Sequence, residues 1–326
     1  MKYNKIMNLL IDPENGDPIN LNTNYFYSKT KKYYINDGIP DFFLNEPTTD
    51  DITNKQKEFY EDVKFPNYDD LDDFSSLIEK SENSLFAKKL DQQLPHSSKI
   101  IEIGCGTGQM SNFLSRYNRV IVGTDISKTS LDLANEFKKK NQIANVFFLQ
   151  MNLFKPCFKE NSFDAVISNG CLHHTANPRE AFKKVCSLAK TNGFIVIGLY
   201  HKNGRFFTRL RQKIFNFSNN RFKFLDSRNI NQNLSLSKRY AWYRDQYQNP
   251  KEFSYSFQEI YKWFEENNIK YLSSIPFHNF DENFNLLKEQ KKPSNFKIRL
   301  KEISMTFDHS QIKEGGFFIM VGKKNN

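Results

Sequence analysis

Three glycines at alternate positions, Gly104, Gly106 and Gly108, follow the apolar run Ile100-Ile101-Glu102-Ile103. Glu102 stands two residues before the first glycine, and Cys105 lies inside the bend. Such glycines let the backbone turn tightly and leave no Cβ between main chain and ligand. A helix-like segment, residues 109–117, comes next, and a helix start offers unpaired N–H groups. Together these features suit a nucleoside-bearing cofactor held at the C-terminal edge of a parallel sheet. A second apolar run, Val120-Ile121-Val122-Gly123, ends in Thr124-Asp125. A carboxylate there can accept both hydroxyls of a ribose. The dinucleotide fingerprint has the spacing G-x-G-x-x-G, whereas this chain has G-x-G-x-G.

A second set of reactive side chains follows a later apolar run. Cys171-Leu172-His173-His174-Thr175 lies where a substrate would enter, and a histidine there can act as a general base near neutral pH. The competing reading packs one imidazole on the sheet edge and uses the other to cap a loop. Tyr200 and His201 end a further apolar run and are candidates to line the same pocket. The basic stretch beginning there carries Arg205 and Arg209, which suit a carboxylate or phosphate on an acceptor.

From residue 98 to about residue 200 the chain resembles the class I S-adenosylmethionine (SAM)-dependent methyltransferases. Four elements carry the resemblance in order. They are the glycine bend with Asp125, Phe148-Leu149-Gln150-Met151-Asn152-Leu153, Phe163-Asp164-Ala165-Val166-Ile167-Ser168-Asn169, and the strand after Leu188-Ala189-Lys190-Thr191-Asn192-Gly193. The resemblance implies SAM as cofactor and assigns roles by position. Gly104, Cys105, Gly106 and Gly108 would run beside its methionine part, and Glu102 would meet the amino end. Asp125 would take the ribose, Ile126 the adenine face, and Asn152 and Leu153 the adenine edge. Asn152 replaces a more usual aspartate and can still accept from an exocyclic amine. Asn169 would stand near the transferred methyl. His174, His173 and Tyr200 are the catalytic candidates, and His201, Arg205 and Arg209 the acceptor-binding ones.

The fourth element also narrows the chemistry. Enzymes that methylate planar amines carry Asp/Asn-Pro-Pro-Tyr/Phe there, while this chain reads Ser168-Asn169-Gly170-Cys171. Cys171 has no preceding proline, unlike the nucleophile of cytosine C5 enzymes. The Leu-His-His-Thr run is similar to that of many small-molecule methyltransferases. The expected activity is methyl transfer to an oxygen or carbon of an anionic small-molecule or carrier-linked metabolite. RNA methylation is the alternative, and a non-catalytic scaffold the third reading.

These groups need an α/β scaffold with a Rossmann-like, seven-stranded, mostly parallel sheet and an antiparallel last strand. Residues 98–200 are expected to form its SAM-binding core. Asn177-Pro178-Arg179-Glu180 reads as a helix start, with a cap, proline at the first position and an acid at the third. That helix should end before Asn192-Gly193, and a strand should cover residues 194–200. Residues 201–250 read as an inserted, basic helical lid. Ser256-Phe257-Gln258-Glu259 is a capping box for the last core helix. Strands over residues 269–275 and 316–321 follow, with a loop or helical excursion at 276–310. Residues 1–44 form a small β-rich module, with a strand and turn at 9–17 and paired strands at 25–27 and 32–35. It resembles the zinc-ribbon-like activator subunit of tRNA and release-factor methyltransferases. It has no cysteine before Cys105, so no metal is expected. Residues 45–97 read as a helical linker.

The formal net charge of +10 is unevenly spread over the 326 residues. Residues 201–244 hold eleven Lys/Arg against one acid, Asp226, and residues 45–82 hold twelve acids against four lysines. Such asymmetry bears on partners. Phe206, Phe207, Phe215 and Phe217 interleave with the basic residues, which suits a lipid-linked or aromatic acceptor, a membrane surface, or the lid's own core. Four scattered cysteines without C-x-x-C spacing point to a reducing compartment. With no membrane-length apolar run, a cytoplasmic location is expected.

Overall fold

The computed structural model describes residues 3–45, 50–63, 68, 73–232, 234–276, 281–307 and 316–325. The chain opens with four short antiparallel strands: β1 (Asn20–Leu21), β2 (Tyr25–Tyr27), β3 (Lys32–Asn36) and β4 (Ile39–Pro40). β2 and β3 are the pair expected from sequence, with Phe26 opposite Tyr33. Residues 9–17 differ from expectation. A 3-10 turn at Met7–Leu9 leads to isolated bridges, Leu10 to Phe158 and Ile11 to Pro18. The Asp12 carboxylate accepts from the Glu14 amide and the Tyr33 hydroxyl, which holds this stretch as a turn. Tyr3, Ile6, Phe26 and Phe42 belong to the same hydrophobic cluster as Phe147 and Leu149 of the main sheet, so the module has no core of its own.

Three helices follow: α1 (Asp50–Asp62), α2 (Phe74–Glu82) and α3 (Leu85–Gln93). Asp73 and Ser76 form a capping box at α2, and the Ser84 hydroxyl caps α3. The acidic stretch at residues 45–82 lies partly outside the described residues.

The core then alternates strand and helix, except that a helix-free connection joins β7 to β8: β5 (Lys99–Ile103), α4 (Gln109–Phe113), β6 (Val120–Asp125), α5 (Lys128–Lys140), β7 (Val146–Gln150), β8 (Phe163–Asn169), α6 (Pro178–Leu188) and β9 (Ala189–Tyr200). The lid comprises α7 (Phe206–Phe217), α8 (Ser227–Ile230) and α9 (Leu236–Tyr247). α10 (Phe257–Glu266), β10 (Ile269–Ile275), α11 (Asn295–Ser304) and β11 (Phe317–Lys324) complete the chain. The main sheet runs β7-β6-β5-β8-β9-β11-β10, with β11 antiparallel to both neighbours. Its parallel strands are buried almost end to end, as expected of a sheet covered on both faces. Strand order reverses between β5 and β8, the point where such sheets bind ligands beyond the strands' carboxyl ends.

Two element boundaries moved. The helix after Gly108 stops at Phe113, because Tyr117 and Asn118 take left-handed angles (φ 59° and 57°) in the turn to β6. β9 begins at Ala189 rather than at residue 194, with a bulge opposite Phe163 and Ala165. Lys190 reaches Asp164 at 2.7 Å and anchors this extension. The Asn177 cap of α6 and the Ser256–Glu259 capping box of α10 are both present. The excursion expected at 276–310 contains α11; residues 277–280 and 308–310 lie outside the described residues.

Candidate active site

The bend after β5 is stitched to the end of β6. The Gly104 and Cys105 amides donate to the Thr124 carbonyl at 2.8 and 3.0 Å, and the Gly106 amide donates to Asp125 Oδ2 at 2.8 Å. The bend and the acid therefore share one side of the sheet. Two glycines are demanded by close packing as well as by positive φ. A Cβ on Gly104 (φ 72°) would sit 2.4 Å from the Cys171 side chain. A Cβ on Gly108 (φ 71°) would press on Ala134 and Phe148 at 2.7 Å, wedging the bend off the sheet.

A cavity of about 490 Å³ lies at this switch point, a size usual for a small-molecule or cofactor site. Glu102, Gly104, Cys105 and Gly106 line it from β5 and the bend. Asp125, Ile126, Asn152 and Leu153 line it from β6 and the residues after β7, and Asn169 from the end of β8. Gly108 is not among the lining residues; its role is packing.

The polar groups are held before any ligand arrives. Asp125 Oδ1 accepts from the Ser127 amide at 2.9 Å while Oδ2 takes Gly106, so the carboxylate both closes the turn and keeps lone pairs in reserve. Ser111 donates to Glu102 Oε2 at 2.5 Å. Burial raises the Glu102 carboxyl to about 7, against the Ser111 bonds, and nearby Asp125 adds to the rise. Burial likewise raises Asp125. Asn152 Oδ1 accepts from the Phe154 amide at 3.0 Å, and its Nδ2 donates to the Leu44 carbonyl at 2.8 Å.

On the acceptor side, His174 and Tyr200 line the cavity and His173 does not. His173 is 1% exposed and sandwiched near His174 and Tyr200, with ring centroids at 4.2 and 4.4 Å. Burial drives its pKa well below the usual imidazole range, so it is a neutral packing residue. His174 Nδ1 lies 2.9 Å from the Lys251 carbonyl. A carbonyl accepts only, so Nδ1 carries a proton, and in the neutral ring the lone pair falls to Nε2.

The acceptor-binding candidates need correction: none of His201, Arg205 and Arg209 lines the cavity. His201 is buried beside Phe257 and Phe318, and burial lowers its pKa to about 4. Arg205 is 1% exposed; its Nε and Nη2 meet Glu252 at 3.0 and 2.5 Å, and Nη1 meets Gln246 at 2.5 Å. Its guanidinium lies over the Tyr200 ring at 4.0 Å. Arg209, an exposed residue, reaches Ser254.

Other residues, unmarked by sequence, complete the wall. Thr53, Gln56 and Tyr60 line the cavity from one face of α1, at i, i+3 and i+7. Asp245 lines it from α9. Tyr60 donates to Asp245 Oδ1 at 3.1 Å, and Gln56 Nε2 donates to Asn249 Oδ1 and the Lys251 carbonyl at 2.8 and 3.1 Å. The strip that fixes the His174 tautomer thus also latches α1 over the cavity. The spacing on α1 marks a shared helical face, but no local signal says what that face meets. Lys80, from α2, is the one arginine or lysine among the described lining residues.

Residues 101–197 match the sequence model of the methyltransferase domain. The fold, the bend and this match define the class of that segment: residues 101–197 form a methyltransferase domain of the class I, Rossmann-like type, a class whose methyl donor is S-adenosylmethionine. The chain is 26% identical over 149 residues to the Bacillus subtilis (strain 168) protein named "Uncharacterized methyltransferase YcgJ", covering 45% of this chain and 53% of that one. It is 30% identical over 109 residues to the malonyl-[acyl-carrier protein] O-methyltransferase of Paenibacillus sp. (strain JDR-2), covering 32% and 40%. It spans about half the length of the curated relatives it matches. The solved structure of PKMT2 from Rickettsia typhi in complex with AdoHcy shares the fold at a TM-score of 0.51 and 16% identity, over 82% of this chain and 54% of that one.

The side chains present fit such a cofactor. The cavity lining includes the carboxylates of Glu102 and Asp125, which can accept from hydroxyls and an ammonium, and the apolar side chains of Ile126 and Leu153, which can cover a flat base.

Proposed function

We propose that this protein transfers a methyl group from SAM to an oxygen or carbon of a small or carrier-linked metabolite. The observation that carries this reading is one continuous cavity lined by Glu102 and Asp125 at one part and by His174, Tyr200, Tyr60 and Asp245 at another. The Paenibacillus relative's name, an O-methyltransferase of a carrier-linked acid, supports it. An anionic acceptor rested on Arg205 and Arg209. Both lie outside the lining, so these two arginines do not support a charged acceptor, and Lys80 is the Lys/Arg cation that lines the cavity among the described residues.

The sulfonium supplies an already activated methyl carbon, with a neutral thioether as leaving group. The protein's task is to hold the acceptor in line and exclude water, a positioning effect that can supply much of the rate. Asp125 would hold the ribose hydroxyls, Glu102 the amino end, and Asn152 the adenine edge through its free Oδ1 lone pair. His174 Nε2, the lone-pair nitrogen of the neutral ring when Nδ1–H faces the Lys251 carbonyl, would take a proton from an O–H or acidic C–H acceptor. Tyr200 and Asp245 would orient that acceptor.

Radiolabelled SAM incubated with fractionated metabolites, lipids, RNA and protein tests this reading. Label in a small or carrier-linked product supports it; label in RNA would move the assignment to the RNA alternative. Once an acceptor is known, His174→Ala should lower kcat by roughly 100-fold while SAM affinity stays unchanged, as for loss of a general base. An unchanged kcat would remove His174 from the chemistry.

The raised Glu102 carboxyl makes cofactor affinity depend on pH. Below about pH 7 the empty site holds this carboxyl protonated. A cationic amino group needs it ionised, so binding must then expel a proton. Affinity is expected to fall by up to about tenfold per pH unit below 7 and to level off above 8. Calorimetry across pH in buffers of different ionisation enthalpy reads both effects, and Glu102→Gln should flatten the profile. A flat wild-type profile would place the amino group elsewhere.

A further inference from the structure

α7 and α11 invert the usual arrangement of an amphipathic helix. In a globular protein the apolar stripe faces the core. α7 buries Thr208 and Phe215 and turns Phe206, Leu210 and Phe217 outward at i, i+4 and i+11, with exposures of 55%, 46% and 95%. α11 buries Ile298 and turns Phe296, Leu300 and Ile303 outward at i, i+4 and i+7, with exposures of 70%, 52% and 61%. The two helices adjoin. The Phe207 and Phe307 rings approach at 6.2 Å, and Asn203 Nδ2 donates to the Glu302 carbonyl at 2.7 Å. Exposed Phe222, Phe224 and Leu225 add to the lid's apolar surface. Large exposed apolar side chains gathered on neighbouring elements mark an interaction surface.

Charge selects the partner. Arg209 and Lys213 flank the α7 stripe, and Lys297 and Arg299 flank that of α11. The one acid within residues 201–244, Asp226, is buried and takes hydrogen bonds from Tyr247 and Trp242. Glu302, the acid of α11, is half-buried and accepts from the Phe257 amide, so this surface offers aromatic and aliphatic side chains flanked by exposed cations. A second copy of the chain would bring the same positive charge against itself. Single-stranded nucleic acid stacks on aromatic rings but has no layer to receive Leu210, Leu300 and Ile303.

We propose that this surface docks on an anionic lipid bilayer. α7 and α11 lie in the plane of the interface, their apolar stripes at the acyl boundary and their Lys/Arg among the headgroup phosphates. Among the described residues no helix is long and apolar enough to cross a membrane, so the chain lies on the bilayer rather than spanning it through these helices. This docking stands independently of which acceptor is methylated.

Co-sedimentation of the full chain with phosphatidylcholine vesicles, with and without phosphatidylglycerol, tests it. Pelleting is expected with the anionic vesicles and should weaken as salt is raised. Phe206→Ser with Phe217→Ser, and separately Phe296→Ser with Ile303→Ser, should each weaken vesicle binding roughly tenfold or more. Circular dichroism and SAM affinity should be unchanged in both, since these side chains lie on the surface. The proposal fails if the wild type stays in the supernatant with anionic vesicles, or if both variants pellet as well as the wild type. It fails equally if ultracentrifugation shows a dimer that these substitutions dissociate while vesicles remain unbound.

Discussion

Asp125→Ala should weaken SAM binding by roughly a hundredfold or more. Two hydroxyls would lose charge-assisted hydrogen bonds worth about 1.5–3 kcal/mol each. The protein would lose more than a ligand contact, because the Gly106 and Ser127 amides both end on this carboxylate. Without it, the bend that must lie against the cofactor loses its tie to β6. Asp125→Asn keeps one oxygen acceptor and should cost less. Calorimetric titration reads both variants, and an Asp125→Ala protein that binds SAM as tightly as the wild type would place the ribose elsewhere.

Arg205→Ala should destabilise the fold by about 3–5 kcal/mol, the usual cost of breaking a buried ion pair from one side. The guanidinium is 1% exposed and bonded to Glu252 and Gln246. Its removal would leave the Glu252 carboxylate, whose side chain is 17% exposed, without that partner, and would strip a cation from the Tyr200 ring. Arg205→Lys should rescue little, since one ammonium cannot reproduce the fork that meets both carboxylate oxygens. Arg209→Ala, at an exposed residue, should change stability by no more than about 0.5 kcal/mol. Urea unfolding with the slope held constant distinguishes these outcomes. A stable Arg205→Ala protein with weakened acceptor binding would return this arginine to the substrate.

The contrast between these two residues shows what a sequence can reveal about a site. Asp125 was legible because a strand, a bend and the next strand's end are local events, and a parallel sheet brings neighbouring strand ends together. That Tyr200 and His174 line the cavity was legible for the same reason, each lying at or just beyond the carboxyl end of its strand. Arg205 was misassigned because closeness to Tyr200 along the chain says nothing about where the chain turns next. Gly204 packs backbone to backbone against Gly316, where an added Cβ would lie 2.3 Å from the Gly316 Cα. The partners Gln246 and Glu252 come from the far end of the lid. Thr53, Gln56 and Tyr60 were missed for a related reason: what they face depends on contacts with Asp245, Asn249 and Lys251, about two hundred positions away.

The opening four-stranded sheet carries a consequence for how this protein can be dissected. Just past β4, the Phe42 amide donates to the Gln150 carbonyl at 2.9 Å and Asp41 bridges to Gln150, so the leading segment continues the edge of the main sheet at β7. Two residues on, the Leu44 carbonyl accepts from Nδ2 of Asn152, which lines the cavity. Excising this segment would bare an unpaired sheet border and release the Asn152 side chain in the cavity wall. A fragment starting at β5 would therefore lose the partners of both Gln150 and Asn152, and the wall that Asn152 gives the cavity is tied to the chain's opening segment.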